Sequence, residues 1–276
     1  MNFLRKLLFP FSLLYGGITA IRNFLYNKGI LKSKKYDLPV ICVGNLSTGG
    51  TGKSPMIELL VSFLEHKQKV AVLSRGYKRK TSGYREVSIV NTVEEVGDEP
   101  LQFKKKFPEI TAAVCEDRRT GIEKLQSKAD VILLDDAFQH RKVKASLNIL
   151  LTSFDKLYVN DCMLPTGNLR EPKYGAQRAD VIVVTKCPDD ISDFTMEAIK
   201  RKLDPKPHQK IYFSKIGYAS EIKNPKEKKP LSYLKDEKFL LVTGIANPRP
   251  LIDYLKKEGL NFKEKSFPDH HNFTSF

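Results

Sequence analysis

The chain has 276 residues, enough to bury a substantial core, and its aliphatic and aromatic content excludes a globally disordered polymer. A formal net charge of +15 favours anionic partners, whether nucleic acid, acidic membrane or a phosphorylated substrate. Cys42, Cys115, Cys162 and Cys187 form no CxxC pair, and three of them lie in or beside apolar runs, which reads as buried thiols in a reducing compartment and excludes a disulfide framework or zinc site.

The amino terminus is strongly apolar from Asn2 to Arg22, with Arg5, Lys6 and Arg22 at its flanks. Its uncharged centre, Leu7 to Ile21, falls short of the ~20 residues that a spanning helix needs. Pro10 and the Gly16-Gly17 pair interrupt it, and no small-residue cleavage site follows, so a signal peptide is disfavoured. Two readings stay open: an interfacial segment with its basic residues toward acidic headgroups, or a helix packed on the domain's own core.

Beyond it, short β-branched apolar runs alternate with helical patterns. Strands are predicted at 40–43, 70–73, 111–114, 131–136, 147–151 and 181–184, with helical patterns at 55–64 and 118–126. Nearly unbroken apolar strands alternating with helices imply a parallel sheet covered on both faces, the doubly wound α/β class. Residues 206–238 are rich in lysine and proline, and Phe239–Pro248 restarts a strand-to-helix pattern, so a second, smaller α/β lobe is expected after a boundary near residue 187.

The first predicted strand runs directly into Gly44-Asn-Leu-Ser-Thr-Gly-Gly-Thr-Gly-Lys-Ser-Pro55. Residues Ser47, Thr48, Gly49, Gly50, Thr51, Gly52, Lys53 and Ser54 fit a P-loop, in which backbone N–H groups wrap phosphates, the lysine reaches the terminal oxygens and the hydroxyl ligates Mg²⁺. Pro55 suits a first helical turn, where its missing N–H costs little. The loop therefore predicts a nucleoside triphosphate. Its natural partner is the acidic end of a later strand, Asp135-Asp136, placed to hold Mg²⁺ beside the phosphates.

Other polar groups are ambiguous when read alone. Asp98 in Gly97-Asp-Glu-Pro100 reads as a helix cap more readily than as a base. Arg75, Arg118 and Arg119 are either phosphate ligands or solvated charges. Asn168, Arg170 and Glu171 follow a Leu-Pro-Thr-Gly loop and could reach the same cleft, and Gly244–Asn247 either lines that cleft or is a plain turn.

Taken together and in order, VGNLSTGGTGKSP, LSRGY, GDEP, LLDDAFQH, LPTGNLREP, VTKCP, TGIANP and FPDHHNFT resemble the tetraacyldisaccharide 4′-kinases of lipid A biosynthesis. The resemblance runs from the amino terminus to the last residues. It implies a P-loop NTPase-like fold and transfer of the ATP γ-phosphate to the 4′-hydroxyl of a tetraacylated glucosamine disaccharide 1-phosphate, with ATP and Mg²⁺ as cofactors. It implies that Lys53 and Asp98 are catalytic, with His270 assisting Asp98 when the lobes close. Ser54, Asp135, Asp136 and Glu171 are implied at the metal, and Arg75 and Arg119 at the lipid's phosphate or sugar. The chain then divides into a membrane-associating helix (1–28), a P-loop kinase domain (29–186) and the smaller lobe (187–276). The implied location is peripheral, on the cytoplasmic face of the bacterial inner membrane, against an acidic lipid surface. Family members usually continue past the histidine motif, so a carboxyl-terminal segment is expected to be missing after Phe276.

Rival classes fit less well. A partition-type ATPase wants a lysine where Thr48 stands, a GTPase wants NKxD where Thr185-Lys-Cys-Pro188 stands, and a nucleic-acid adaptor would carry RNA-binding aromatic motifs that are missing here.

Overall fold

The structure, a computed structural model, describes residues 3–224, 227–245 and 247–268. The chain divides into two compact units, residues 1–216 and 217–276.

The first unit begins with two helices, α1 (Phe3–Leu7) and α2 (Phe9–Asn27). There follow β1 (Val40–Asn45), α3 (Lys53–Leu64), β2 (Val70–Ser74), β3 (Arg85–Glu86), α4 (Val93–Val96), α5 (Asp98–Lys106), β4 (Thr111–Val114), α6 (Arg118–Leu125), β5 (Val131–Asp135), β6 (Leu147–Ser153), β7 (Val181–Thr185), α7 (Asp193–Leu203) and β8 (Lys210–Phe213). The strands form one sheet in the order β3-β4-β2-β5-β1-β6-β7-β8, parallel throughout except for the β3–β4 pair. Strand order reverses at β1, which pairs with β5 on one side and β6 on the other. Ligands of such sheets bind beyond the carboxyl ends of the strands at that reversal.

The strands read as unbroken apolar runs because both faces are covered. Val43, Val72, Leu133 and Leu151 pack with Ile57 and Val61 of α3 and Phe103 of α5. Their neighbours Cys42, Leu73, Leu134 and Leu150 point to the other face, against Ile122 and Leu125 of α6 and Ile199 and Leu203 of α7. Cys42, Cys115 and Cys187 are buried as free thiols, and Cys162 is exposed.

The sheet continues past the boundary expected near residue 187. Strand β8 pairs with β7 from Val181↔Lys210 to Val184↔Phe213, so residues 187–216 belong to the first unit. The second unit holds an antiparallel pair, β9 (Glu221–Lys223) and β10 (Lys228–Pro230), then β11 (Phe239–Thr243), α8 (Arg249–Lys257) and β12 (Phe262–Ser266). Strands β11 and β12 pair in parallel, as a strand-helix-strand crossover requires.

Helix α2 has an inverted surface. Its polar residues Ser12, Thr19 and Asn23 are buried, whereas Phe11, Leu14, Ile18 and Ile21, spaced by three, four and three residues, are 62%, 65%, 60% and 63% exposed. Polar contacts attach it to the loop after β6. Ser12 Oγ donates to Thr166 Oγ1 at 2.7 Å, Tyr15 Oη to the Arg170 carbonyl at 2.9 Å, and Asn23 Nδ2 to Glu171 Oε2 at 2.7 Å. Arg5, expected to face headgroups, instead donates to the carbonyls of Pro165 (3.1 Å) and Gly167. Among the described residues no helix is long and apolar enough to cross a membrane.

Glu171 is the keystone of this attachment. It is fully buried, and besides Asn23 it accepts from Gln139 Nε2 at 2.9 Å and pairs with Arg178 at 2.8 Å. Removing one partner of a buried pair leaves the other charge uncompensated, so Glu171→Ala should cost about 3–5 kcal/mol. Urea unfolding at neutral pH measures this, and a midpoint equal to wild type would show that the bracket is dispensable.

Candidate active site

The loop leaving β1 has the form that phosphate binding requires. Gly49 and Gly52 adopt φ of 112° and 87°, in the region that side chains disfavour, and Gly52 caps the amino terminus of α3. The helix end then presents its free N–H groups and partial positive charge to an anion. Asn45 at the end of β1 donates to Thr51 Oγ1 at 2.8 Å, and Thr48 N donates to the Asn168 carbonyl at 2.8 Å, so the loop is braced from both sides. Residues 47–54 thus form a glycine-bent loop that runs into the amino terminus of α3.

Carboxylates gather at the head of α3. Lys53 Nζ lies 3.9 Å from Asp136 Oδ2, and Ser54 Oγ donates to Glu99 Oε1. Asp136 directly follows β5 with φ 46°, a left-handed conformation that a non-glycine residue adopts only at a cost. Arg170 grips it with a two-pronged contact, 2.7 Å to Oδ1 and 3.1 Å to Oδ2, and also donates to Asn45. Burial alone would raise the Asp136 carboxyl, but Arg170 and Lys53 outweigh it and hold the group below its ordinary range.

Asp135, the last residue of β5, behaves oppositely. Burial, reinforced by the charges of Glu99 and Asp136, pushes its carboxyl up to about 7. Its Oδ2 accepts from Ser74 Oγ at 3.1 Å, and its buried Oδ1 has no hydrogen-bond partner. An orphaned, crowded carboxylate oxygen beside a serine hydroxyl is what a divalent cation would satisfy. Among the described residues no three His, Cys, Asp or Glu side chains form a ready cage. That suits Mg²⁺, which takes one or two carboxylates and completes its shell with water and phosphate.

The remaining expected residues divide. Arg75, exposed directly after β2, adds to the positive field around Arg118. Arg119 turns away and pairs with Asp117 at 3.1 Å, while its neighbour Arg118 is buried and donates to the Asp135 carbonyl at 3.2 Å. Helical phase separates the two: α6 buries Arg118 and sends Arg119 outward. Glu171, expected at the metal, has both oxygens engaged, Oε2 by Asn23 of α2 and Oε1 by Gln139 and Arg178. Asp98 is the first residue of α5, immediately before Glu99, and is not the N-cap, which is Gly97. His270 lies outside the described residues, as does Ala246 within Gly244–Asn247. Glu99, Ser74 and Arg118 complete the constellation, and of these only Arg118 stood among the sequence candidates. No spacing rule distinguishes Glu99 from its neighbour Asp98.

A triphosphate cradle at the reversal of a parallel sheet, facing acids on the adjacent strand, defines a P-loop phosphotransferase. The family model for tetraacyldisaccharide-1-phosphate 4′-kinase matches residues 4–276. A tetraacyldisaccharide 4′-kinase from Flavobacterium johnsoniae is 54% identical over 99% of this chain and 81% of its own length. One from Bacteroides thetaiotaomicron is 45% identical over 98% of this chain and 75% of its own. Among solved structures, LpxK from Aquifex aeolicus in complex with ATP superposes with a TM-score of 0.81 at 36% identity, covering 99% of this chain and 85% of that one. The chain belongs to the tetraacyldisaccharide 4′-kinase family.

The Asp135 environment has a measurable consequence. A carboxyl whose folded pKa is raised contributes stability below its unfolded value near 3.9 and loses it as pH rises through about 7. Without nucleotide or metal, Asp135→Asn should therefore melt higher than wild type at pH 8, with the gap narrowing toward pH 5. Thermal unfolding at both pH values tests this, and a variant that melts lower at pH 8 contradicts it.

Proposed function

We propose that this protein uses ATP to phosphorylate the 4′-hydroxyl of a tetraacylated glucosamine disaccharide 1-phosphate during lipid A biosynthesis. One observation carries the reading: Lys53 and Ser54 at the head of α3 stand against the Asp136 and Glu99 carboxylates, with Asp135 beside them. Family membership supplies the acceptor.

The residues divide the work by charge. Backbone N–H groups of residues 49–54 and the Lys53 ammonium hold the β- and γ-phosphates. Ser54 and the orphaned Asp135 oxygen would hold Mg²⁺, which would supply charge neutralisation at the phosphate oxygens. Asp136, fixed by Arg170, sets the position of Lys53. A sugar hydroxyl is a weak nucleophile at neutral pH, so positioning beside a neutralised phosphoryl group supplies most of the acceleration. Asp98, assisted by His270, takes the hydroxyl proton, a contribution worth ~10²–10⁴-fold. Arg75 meets the anionic end of the acceptor.

An acceptor with four acyl chains does not leave the bilayer for water. The outward stripe of α2 matches that constraint, since an apolar helix face settles at the level of the headgroups, and Lys6 and Lys28 are exposed near its two ends. Acidic lipid adds about 1 kcal/mol for each basic residue near the surface. The protein accordingly works as a peripheral enzyme on the cytoplasmic face of the inner membrane.

Labelled ATP incubated with lipid disaccharide should give acceptor-dependent phosphate transfer, and Asp98→Ala or His270→Ala should depress kcat by ~10²–10⁴-fold with ATP binding retained. ATP hydrolysis indifferent to the acceptor argues against the kinase reading. Replacing Phe11, Leu14, Ile18 and Ile21 together by serine should abolish co-flotation with acidic liposomes while ATP affinity holds. Undiminished flotation would mean that another surface docks.

A further inference from the structure

A buried cation outside the phosphate cradle braces the loop that follows β2. Strands β2 and β4 end level, Ser74 opposite Val114, and Cys115 N donates to the Ser74 carbonyl at 3.0 Å. The chain leaving β2, Arg75-Gly-Tyr-Lys-Arg-Lys80, therefore starts beside Glu116 at the exit of β4. Arg79 spans from that loop to Glu116 with its side chain only 2% exposed. Its Nη2 donates to Glu116 Oε1 at 2.5 Å and to the Gly83 carbonyl at 2.6 Å, and Glu116 Oε2 accepts from Gly83 N at 3.0 Å.

The loop so held rests on the start of α5. A Cβ on Gly76, whose φ is 75°, would come within 2.5 Å of Arg79 Cδ, so the arginine stem lies directly on the main chain. A Cβ on Gly97, the residue before Asp98 and Glu99, would stand 3.2 Å from the Tyr77 carbonyl oxygen. Lys80 N and Thr81 Oγ1 donate to the Glu94 and Glu95 carbonyls of α4 at 2.7 Å and 2.5 Å. The arrangement is costly, because Lys78 has φ 60° and Arg79 Nε and Nη1 are buried without a hydrogen-bond partner. An apolar residue of similar volume would serve stability as well, which leaves the placing of the loop as what the guanidinium contributes.

We propose that Arg79 is a positioning residue for phosphoryl transfer. With Glu116 it forms a strut that presses residues 75–83 onto Gly97, and so fixes the backbone from which Arg75 and Asp98 project. This rests on the roles given above to Arg75 at the acceptor and Asp98 at its hydroxyl proton. Both act on the acceptor, whereas the phosphate loop is braced separately by Asn45 and the Asn168 carbonyl. Misplacing a reacting group by about 1 Å costs up to ~10²-fold, so loss of the strut falls on transfer and spares ATP binding.

Arg79→Met, which keeps a stem over Gly76 and removes every donor, tests this on the full chain. It should lower kcat/KM for the lipid disaccharide about 10²-fold, through a higher KM and a lower kcat together, and leave the Mg²⁺-ATP Kd within about two-fold by calorimetry. Arg79→Lys, which keeps a charge within reach of Glu116, should recover most of that loss. Glu116→Ala should match Arg79→Met, and the double variant should be no worse than either, because the two residues act as one strut. Hydrogen exchange at the Lys80 amide, which needs no substrate, should quicken about ten-fold in Arg79→Met. Normal transfer by Arg79→Met overturns the assignment even where exchange quickens, since the strut would then be structural only. An equal loss of ATP binding, or losses that multiply in the double variant, overturns it too. Wild type that binds ATP yet transfers nothing to the disaccharide removes the acceptor reading and this one with it, while exchange still reports the strut.

Discussion

The lateral pairing of β1 with β5 is the constraint from which the site follows. That pairing sets Val43 opposite Asp135, so the strand that delivers the acids stops beside Val43 while the strand that launches the phosphate loop runs on to Asn45. Parallel strands hold this register through evenly spaced hydrogen bonds and through apolar side chains sorted to two buried faces. A slip of one residue would put Leu133 among the wrong helices and carry Asp135 out of line with Lys53. The core that α3 and α6 build on either face is thus what keeps two carboxylates at working distance from one lysine.

Charge at the site is divided between two neighbouring acids with opposite characters. Asp136 is held ionised by Arg170 and Lys53, whereas Asp135 is crowded and proton-prone until something positive reaches its orphaned oxygen. Arg118, buried under the same turn, donates to main-chain carbonyls of Cys115 and Asp135 and so stabilises the strand end, and its charge adds to those that hold Asp136 down. Two adjacent residues with one formula therefore do different jobs. One is settled in the folded protein, and the other is left to be settled by the ligand.

Much of this was legible in the chain. The buried strands announce themselves because both faces are apolar, and Gly52-Lys53-Ser54 after such a strand carries its own chemistry. What was hidden depended on one-sided burial or on phase. Strand β8 alternates exposed and half-buried residues at the sheet edge, so Lys210-Ile-Tyr-Phe213 merges with the lysine-rich composition around it, and the boundary was drawn too early. Arg118 and Arg119 are indistinguishable until α6 is given a rotational setting. Glu171 carries the right chemistry for a metal, and only the folded structure reveals that Asn23, Gln139 and Arg178 already claim it.

The same claim changes what kind of attachment α2 provides. A tether joined through a flexible linker would let the catalytic sheet tumble beneath it. Here the helix is bolted through serine, tyrosine and asparagine to the loop that also carries Arg170, the residue that grips Asp136. Whatever takes up the greasy outer side of that helix therefore sets the heading of the phosphate cradle as well, as a keel sets the heading of a hull.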